Sequence, residues 1–268
     1  MSSQPSSAAE RREALKQVLA QARACARCSE LAATRKTVVF GAGNADADLM
    51  FVGEAPGASE DEQGLPFVGR AGKLLDRLLG EIALERANVW ICNVLKCRPP
   101  GNRDPLPVEI ENCREYLLRQ VQLIEPVVIC TLGNFSTKLL RDDPTGITRL
   151  HGQPQEIVIG ARAVRLYPIY HPAAALYTPR MLETLREDFS KIPQLLALGP
   201  PPQPPAPALG PPASEPPDLS AIHELDAAAP SPAASPAASP SVAPERAARS
   251  EPADDRAARA EADQLGLF

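Results

Sequence analysis

The residues with most chemistry to offer in this 268-residue chain are cysteines, and their spacing sorts them into two groups. Cys25-Ala26-Arg27-Cys28 is a C-x2-C pair near the end of a segment that puts Leu15, Val18 and Leu19 on one helical face, and Cys97 and Cys113 follow in polar surroundings. Four such thiols make an all-sulfur ligand set that suits tetrahedral zinc or an iron–sulfur cluster, and spacing alone leaves both open. Cys92 and Cys130 instead sit inside the apolar runs V-W-I-C-N-V and P-V-V-I-C-T-L, where a free cysteine packs as a small hydrophobe. The start M-S-S-Q-P-S-S lacks a signal-peptide pattern and no run of 18 apolar residues occurs. A cytoplasmic location is therefore expected, where cysteines serve as ligands or core rather than as disulfides.

A second group gathers where apolar runs stop. Leu49-Met50-Phe51-Val52 reads as a buried strand that breaks into Gly53-Glu54-Ala55-Pro56-Gly57. The loop that follows holds Glu60, Asp61 and Phe67 before Gly69 and Gly72 open a helix. Asn93 lies at the end of another strand and leads into a long loop with three basic groups, Lys96, Arg98 and Arg103. Tyr170-His171-Pro172 follows a further extended stretch.

The elements that must position these groups alternate along the chain. Helices are expected over 8–24, 71–84, 107–124, 133–140 and 173–196. Strands are expected over 49–52, 88–94 and 126–132, with a short extended piece at 36–41 and two within 156–169 around Gly160-Ala161-Arg162. The helix at 71–84 places Leu74, Leu75, Leu78, Leu79 and Ile82 on one face, and Pro107 stands in the first turn of its helix, where proline is tolerated. This alternation implies an α/β domain with a mainly parallel sheet covered on both faces. In such a sheet residues 53–57, Asn93 and 170–172 converge on one edge, where open α/β folds place ligands.

Composition divides the chain. Of its 30 prolines, 16 lie at or after Pro200, among Ala, Ser and Glu and almost no aromatic residues. Such a segment buries too little apolar surface to offset its ordering entropy. The expected organisation is one folded domain over 1–198, a disordered Pro/Ala-rich linker over 199–263 and a distinct segment over 264–268. The part from Pro200 carries 4 basic and 10 acidic residues, which leaves 24 basic against 23 acidic before it. The overall charge of −5 therefore does not argue against a nucleic-acid partner.

The ordered motifs G-E-A-P-G (53–57), G-L-P-F-V-G-R-A-G (64–72), N-V-L-K-C-R-P-P-G-N-R (93–103) and H-P-A-A-A-L (171–176), with Cys25, Cys28, Cys97 and Cys113, form a specific set. It resembles the family 4 uracil-DNA glycosylases, the iron–sulfur branch of that superfamily, over about residues 12–197. The resemblance implies a three-layer αβα domain around a central four-stranded, mainly parallel sheet. It implies hydrolysis of the N-glycosidic bond of deoxyuridine in single- or double-stranded DNA, releasing uracil and leaving an abasic site. It also implies a [4Fe–4S] cluster, rather than zinc, on the four cysteines, and a monomeric enzyme is expected.

The residue types suit that chemistry. A base inside a duplex must be turned out of the stack into a pocket before it can react. Phe67 then offers a face for the uracil ring, and the Asn93 amide matches N3–H and O4 of uracil while meeting cytosine's reversed pattern badly. Backbone N–H groups at Gly53, Ala55 and Gly57 are expected to hold the O2 side. His171 is expected to donate to the charge developing on O2, and Glu54 to orient water or stabilise the sugar cation. The best-studied uracil glycosylase family carries Asp where Ala55 falls, so Glu60 and Asp61 are alternative acids, and Glu60 is also expected to crowd C5 and reject thymine. Arg98 and Arg103 are expected to grip phosphate. The covalent uracil-binding relatives carry a basic, histidine-bearing insertion after the second strand; none is seen here, so turnover is expected.

Readings from other classes are a non-catalytic DNA- or uracil-binding module of the same fold, which would lack Glu54 or His171, and a zinc-stabilised adaptor acting through its tail. Both pocket residues are present. Gln264-Leu265-Gly266-Leu267-Phe268 resembles the Q-L-x-L-F motif by which bacterial repair and replication proteins dock on the sliding clamp. The resemblance places Leu267 and Phe268 in an apolar pocket and Gln264 at its rim. A flexible tether of some 65 residues averages about 5–6 Å × √65, roughly 45 Å, enough to raise the enzyme's concentration on nearby DNA.

Overall fold

The computed structural model describes residues 7–205. Ser7 caps α1 (Ala8–Ala24): its hydroxyl accepts from Glu10 N while the Glu10 carboxylate accepts from Ser7 N, which satisfies two otherwise free amides. Leu15, Val18, Leu19 and Ala22 form its buried face, as the spacing predicts. The short α2 (Ser29–Thr34) starts directly at the C-x2-C pair, with Cys28 as its N-cap. The stretch 36–41 is not a strand: Val39 N reaches Lys96 O, and only Ala42–Gly43 pair, as the edge strand β1.

Strand β2 (Leu49–Gly53) is buried along its whole length. Behind it lies a helix absent from the sequence reading, α3 (Ala58–Gln63), whose sequence A-S-E-D-E-Q has no apolar periodicity to announce it. Helix α4 (Arg70–Glu81) buries Leu74, Leu75, Leu78 and Leu79 and stops short of residue 84 because the chain turns at Ala83, φ 58. Strand β3 (Trp90–Asn93), helix α5 (Pro107–Ile124), strand β4 (Val128–Leu132) and helix α6 (Asn134–Arg141) fall close to the expected positions, and α7 (Ile147–Leu150) is an added single turn. Strands β5 (Gln155–Ile159) and β6 (Arg162–Ile169) form a hairpin around Gly160, φ 63. The single helix expected over 173–196 is three: α8 (Pro172–Ala175), α9 (Pro179–Ser190) and α10 (Ile192–Ala197). Proline causes the first break, because Pro179 has no N–H to continue a helix and holds Thr178 extended at φ −134, ψ 100.

The sheet runs β1-β3-β2-β4-β6-β5. Its centre, β3-β2-β4-β6, is parallel, and antiparallel β1 and β5 border it. The expected four parallel strands are thus the core of a mixed six-stranded sheet. Alternate residues of β2 point to opposite layers: Met50 and Val52 pack with α1 and α5, whereas Leu49 and Phe51 pack with α4, α9 and α10. Cys92 and Cys130 are core residues, as expected, one in each layer. The second layer rests on the leucines of α4, and truncating fully buried Leu78 to alanine would cost about 2–5 kcal/mol. Because the four central strands run the same way, Gly53, Asn93, Leu132 and Ile169 all end at one edge.

Candidate active site and four-cysteine site

Beyond that edge lies an open cavity of about 470 Å³ whose lining includes Glu54, Ala55, Gly57, Glu60, Phe67, Asn93 and His171. Gly53 forms the wall behind it. A side chain there would begin 2.4 Å from Asn93 Oδ1 and 2.7 Å from the Phe67 ring, so only glycine lets these two approach. Asn93 is buried, yet among the described residues its Oδ1 has no hydrogen-bond partner. A buried carbonyl oxygen without a donor is destabilising, and its place in a ligand-sized cavity marks it as awaiting one. The Asn93 backbone is held by Lys96, whose Nζ donates to Asn93 O at 2.7 Å.

Phe67 is buried and stacks on His171, with ring centroids 5.5 Å apart and an interplanar angle of 30°. Its backbone lies in the left-handed region, φ 54, a strained setting for a bulky residue that costs about 1–3 kcal/mol. Arg86 donates to the carbonyls of both Pro66 and Phe67. No sequence signal singled out Arg86, since an arginine in a short turn reads as an ordinary surface charge.

His171 follows β6 and caps α8, accepting at Nδ1 from Ala173 N at 3.1 Å. That acceptor role places the ring proton on Nε2. Gly133, at φ +91, lets the backbone pass close behind: a Cβ there would stand 3.2 Å from His171 Cβ. Burial lowers the His171 pKa to about 4, against a smaller opposing effect of Glu60. The imidazole is therefore a neutral hydrogen-bond donor at neutral pH. Glu54 moves the other way, its pKa raised by burial and then by the nearby charge of Asp104.

Two acids play parts other than those expected. The Glu60 carboxylate already accepts from Gly57 N at 3.1 Å, Val68 N at 3.0 Å and Gly69 N at 2.9 Å, tying the 53–57 turn to the Phe67 loop. It braces the wall, and the Gly57 amide is engaged in that brace. Asp61 is buried, its Oδ1 accepting from Lys36 N and Thr37 N, and has no place in the cavity. Among the basic residues, Arg103 reaches the rim but pairs with Glu109 and Glu30, a tie between α5 and α2. That pairing makes Arg103 a strut at the cavity rim. Arg98 donates from Nε to Asn102 Oδ1 at 2.7 Å. The 264–268 segment lies outside the described residues.

On the other side of the 93–103 loop, Cys25, Cys28, Cys97 and Cys113 line one small cavity of about 20 Å³. Each sulfur accepts an N–H: Cys25 from Arg27 at 3.4 Å, Cys28 from Asn112 at 3.5 Å, Cys97 from Arg35 at 3.2 Å and Cys113 from Lys96 N at 3.3 Å. Burial raises the Cys97 thiol and pushes Cys113 up to about 11, whereas at Cys25 hydrogen bonds from Tyr116 and Arg27 outweigh burial and lower it. Among the described residues no three His, Cys, Asp or Glu side chains are arranged around a point that would hold a single metal ion. The thiols surround a space instead. Lys96 is almost fully buried beside them, and its ammonium meets only neutral acceptors, Asn93 O and Gln120 Oε1.

A family model described as the uracil DNA glycosylase superfamily matches residues 40–196. A type-4 uracil-DNA glycosylase of Archaeoglobus fulgidus is 45% identical over 187 residues, covering 68% of this chain and 94% of that protein. One from Sulfurisphaera tokodaii is 44% identical, over 68% of this chain and 85% of its own length, and one from Thermotoga maritima 42% identical, over 62% and 85%. With the fold, the strand-end cavity and these relatives in agreement, the chain belongs to the uracil-DNA glycosylase superfamily, alongside its type-4 members.

Proposed function

We propose that the protein turns uracil out of DNA into the strand-end cavity and hydrolyses its N-glycosidic bond, releasing free uracil and leaving an abasic site. The observation that carries this reading is the buried, unpartnered Oδ1 of Asn93. It lacks a donor, and uracil N3–H is one; cytosine N3 is not. The base stacks on Phe67 while the C1′–N1 bond breaks with its electron pair going to N1 and spreading onto O2. The neutral His171 meets that charge with Nε2–H, and desolvation makes one such hydrogen bond strong. Water adds to C1′ and gives its proton to the Glu54 carboxylate, and the uracil anion takes up a proton from solvent. Arg98 grips phosphate.

The four-cysteine site suits a [4Fe–4S] cluster. Four cysteines lining one cavity, an N–H donor on each sulfur and a buried lysine beside them fit a polynuclear centre of net negative charge. Cys25, Cys28, Cys97 and Cys113 would hold it, and once bound it would cross-link α1, the loop after β3 and α5, supplying structure and no step of the hydrolysis. Iron analysis and a brown colour that bleaches on reduction separate it from zinc.

The proposed setting is the cytoplasm, with the enzyme a monomer; no described helix is long and apolar enough to cross a membrane. The folded domain is taken as 1–198, and the Q-L-G-L-F segment at 264–268, joined through the 199–263 linker, docks on a bacterial sliding clamp. Deleting 264–268 abolishes co-elution with the clamp and leaves release of uracil from a short oligonucleotide unchanged; a truncated chain that still binds, or that loses activity, rejects the docking.

The central test is uracil release from a labelled oligonucleotide by the wild-type chain and by Asn93→Asp. The wild type should turn over on uracil and not on cytosine, and the variant should lose that discrimination. Tight binding without release would instead make this a non-catalytic module, and unchanged discrimination would remove Asn93 as the reader.

A further inference from the structure

Phe67 presents the stacking face of the cavity on a backbone that resists its own shape, φ 54 being unfavourable for any residue with a branched or bulky side chain. What holds it lies behind the wall. Arg86, on the one-turn 3-10 helix Arg86–Asn88 ahead of β3, donates from Nη1 to Pro66 O at 2.9 Å and from Nη2 to Phe67 O. Its Nε donates to Asp76 Oδ1 on α4 at 2.7 Å, which fixes the plane of the guanidinium. From the cavity side the Glu60 carboxylate accepts from the next two amides, Val68 and Gly69. Opposite charges thus grip four successive residues, the cation on the carbonyls of 66 and 67 and the anion on the N–H groups of 68 and 69. Gly72 completes the arrangement, because a Cβ there would stand 1.6 Å from Phe67 O; the carbonyl held by Arg86 is pressed against the start of α4.

We infer that Arg86 is a positioning residue for base stacking: its fork fixes the Phe67 peptide in the left-handed region and thereby sets the ring opposite the base. The inference rests on Phe67 stacking the extruded uracil and extends that reading to a side chain that does not line the cavity. Relaxation of the 66–67 peptide to an ordinary φ would swing the Phe67 Cα–Cβ bond and take the ring out of its parallel setting against His171. Lysine cannot replace the fork, since one ammonium on a flexible stem does not hold two carbonyls and Asp76 in a plane.

The test measures steady-state uracil release and product inhibition by free uracil for the wild type, Arg86→Ala, Arg86→Lys, Phe67→Ala and the Arg86→Ala/Phe67→Ala double variant. Arg86→Ala should raise KM and weaken uracil inhibition roughly tenfold, the order of one base–aromatic stack, with kcat within about twofold. Arg86→Lys should show the same defect, and Arg86→Ala should add nothing once Phe67 is gone. Full additivity in the double variant, or a wild-type KM for Arg86→Lys, overturns the inference and leaves Arg86 a charge that merely stabilises the fold. If Phe67→Ala itself keeps a wild-type KM, the stacking reading fails and the inference fails with it. Should Arg86→Ala not fold, Arg86→Lys, which keeps the positive charge, carries the same comparison.

Discussion

The uracil cavity and the cysteine cage lie on either side of one loop and are built on opposite plans. In the cage every sulfur has an N–H donor. In the cavity Asn93 Oδ1 has none, Phe67 sits at a strained φ, and burial lowers the pKa of His171 and raises that of Glu54. One region is satisfied by the chain itself and the other only by what enters it. Local stability is given up where a ligand must complete the structure, and the satisfied cage beside it keeps the unsatisfied walls in place.

The largest break in this contrast is Cys97→Ala. Removing one cage sulfur should yield colourless, poorly soluble protein, because metal binding and folding are coupled in such sites; iron content and thermal unfolding check it, and stable protein with full iron removes Cys97 from the ligand set. His171→Ala acts only on the other region. It should lower turnover about a hundredfold or more, the usual loss for one donor to a developing oxyanion, while DNA affinity by anisotropy is kept.

Glu54→Gln should separate function from stability. Turnover falls by roughly tenfold or more as the water-orienting carboxylate is lost, yet the thermal midpoint at pH 7 rises. The sign follows from the raised pKa: the folded state favours the protonated acid, so the ionised form opposes folding above that pKa and a neutral amide relieves it. The acid limb of wild-type turnover should accordingly lie above the ordinary carboxylate range and vanish in the variant, since His171 remains neutral down to about pH 4. A midpoint that drops in Glu54→Gln would place that carboxylate in a stabilising contact instead. The smallest effect is expected at the rim, where Arg98→Ala should weaken binding across all DNA sequences and reduce the salt slope by about 1. An unchanged slope would take Arg98 off the phosphate.

Much of this was legible in the sequence because periodicity and chain breaks report directly on a parallel sheet: β2, β3, β4, α4 and α5 announce themselves through apolar spacing, and the strand ends deliver Gly53, Asn93 and His171 to one edge. What escaped depends on partners rather than on pattern. Helix α3 has no apolar stripe and is organised by the Glu60 carboxylate. The partners of Glu60, Asp61 and Arg103 escape because residue type shows a charge but not whether it is already matched, and each is matched, to backbone amides or to carboxylates. The break between α8 and α9 follows from Pro179, a residue type that stops a helix wherever it stands past the first turn.

The cage and the cavity are also joined by length. Beyond β3 the chain stays paired, Val94 N to Gly53 O, Leu95 N to Glu54 O and Lys96 N to Cys113 Sγ, so Asn93 and Cys97 are the two ends of one fully bonded lever. Such a lever has no slack for insertion or deletion. One residue added between 93 and 97 would turn either the amide away from the base or the thiol away from its cage, which makes the four-residue interval a fixed ruler in a loop where length would otherwise be free to drift.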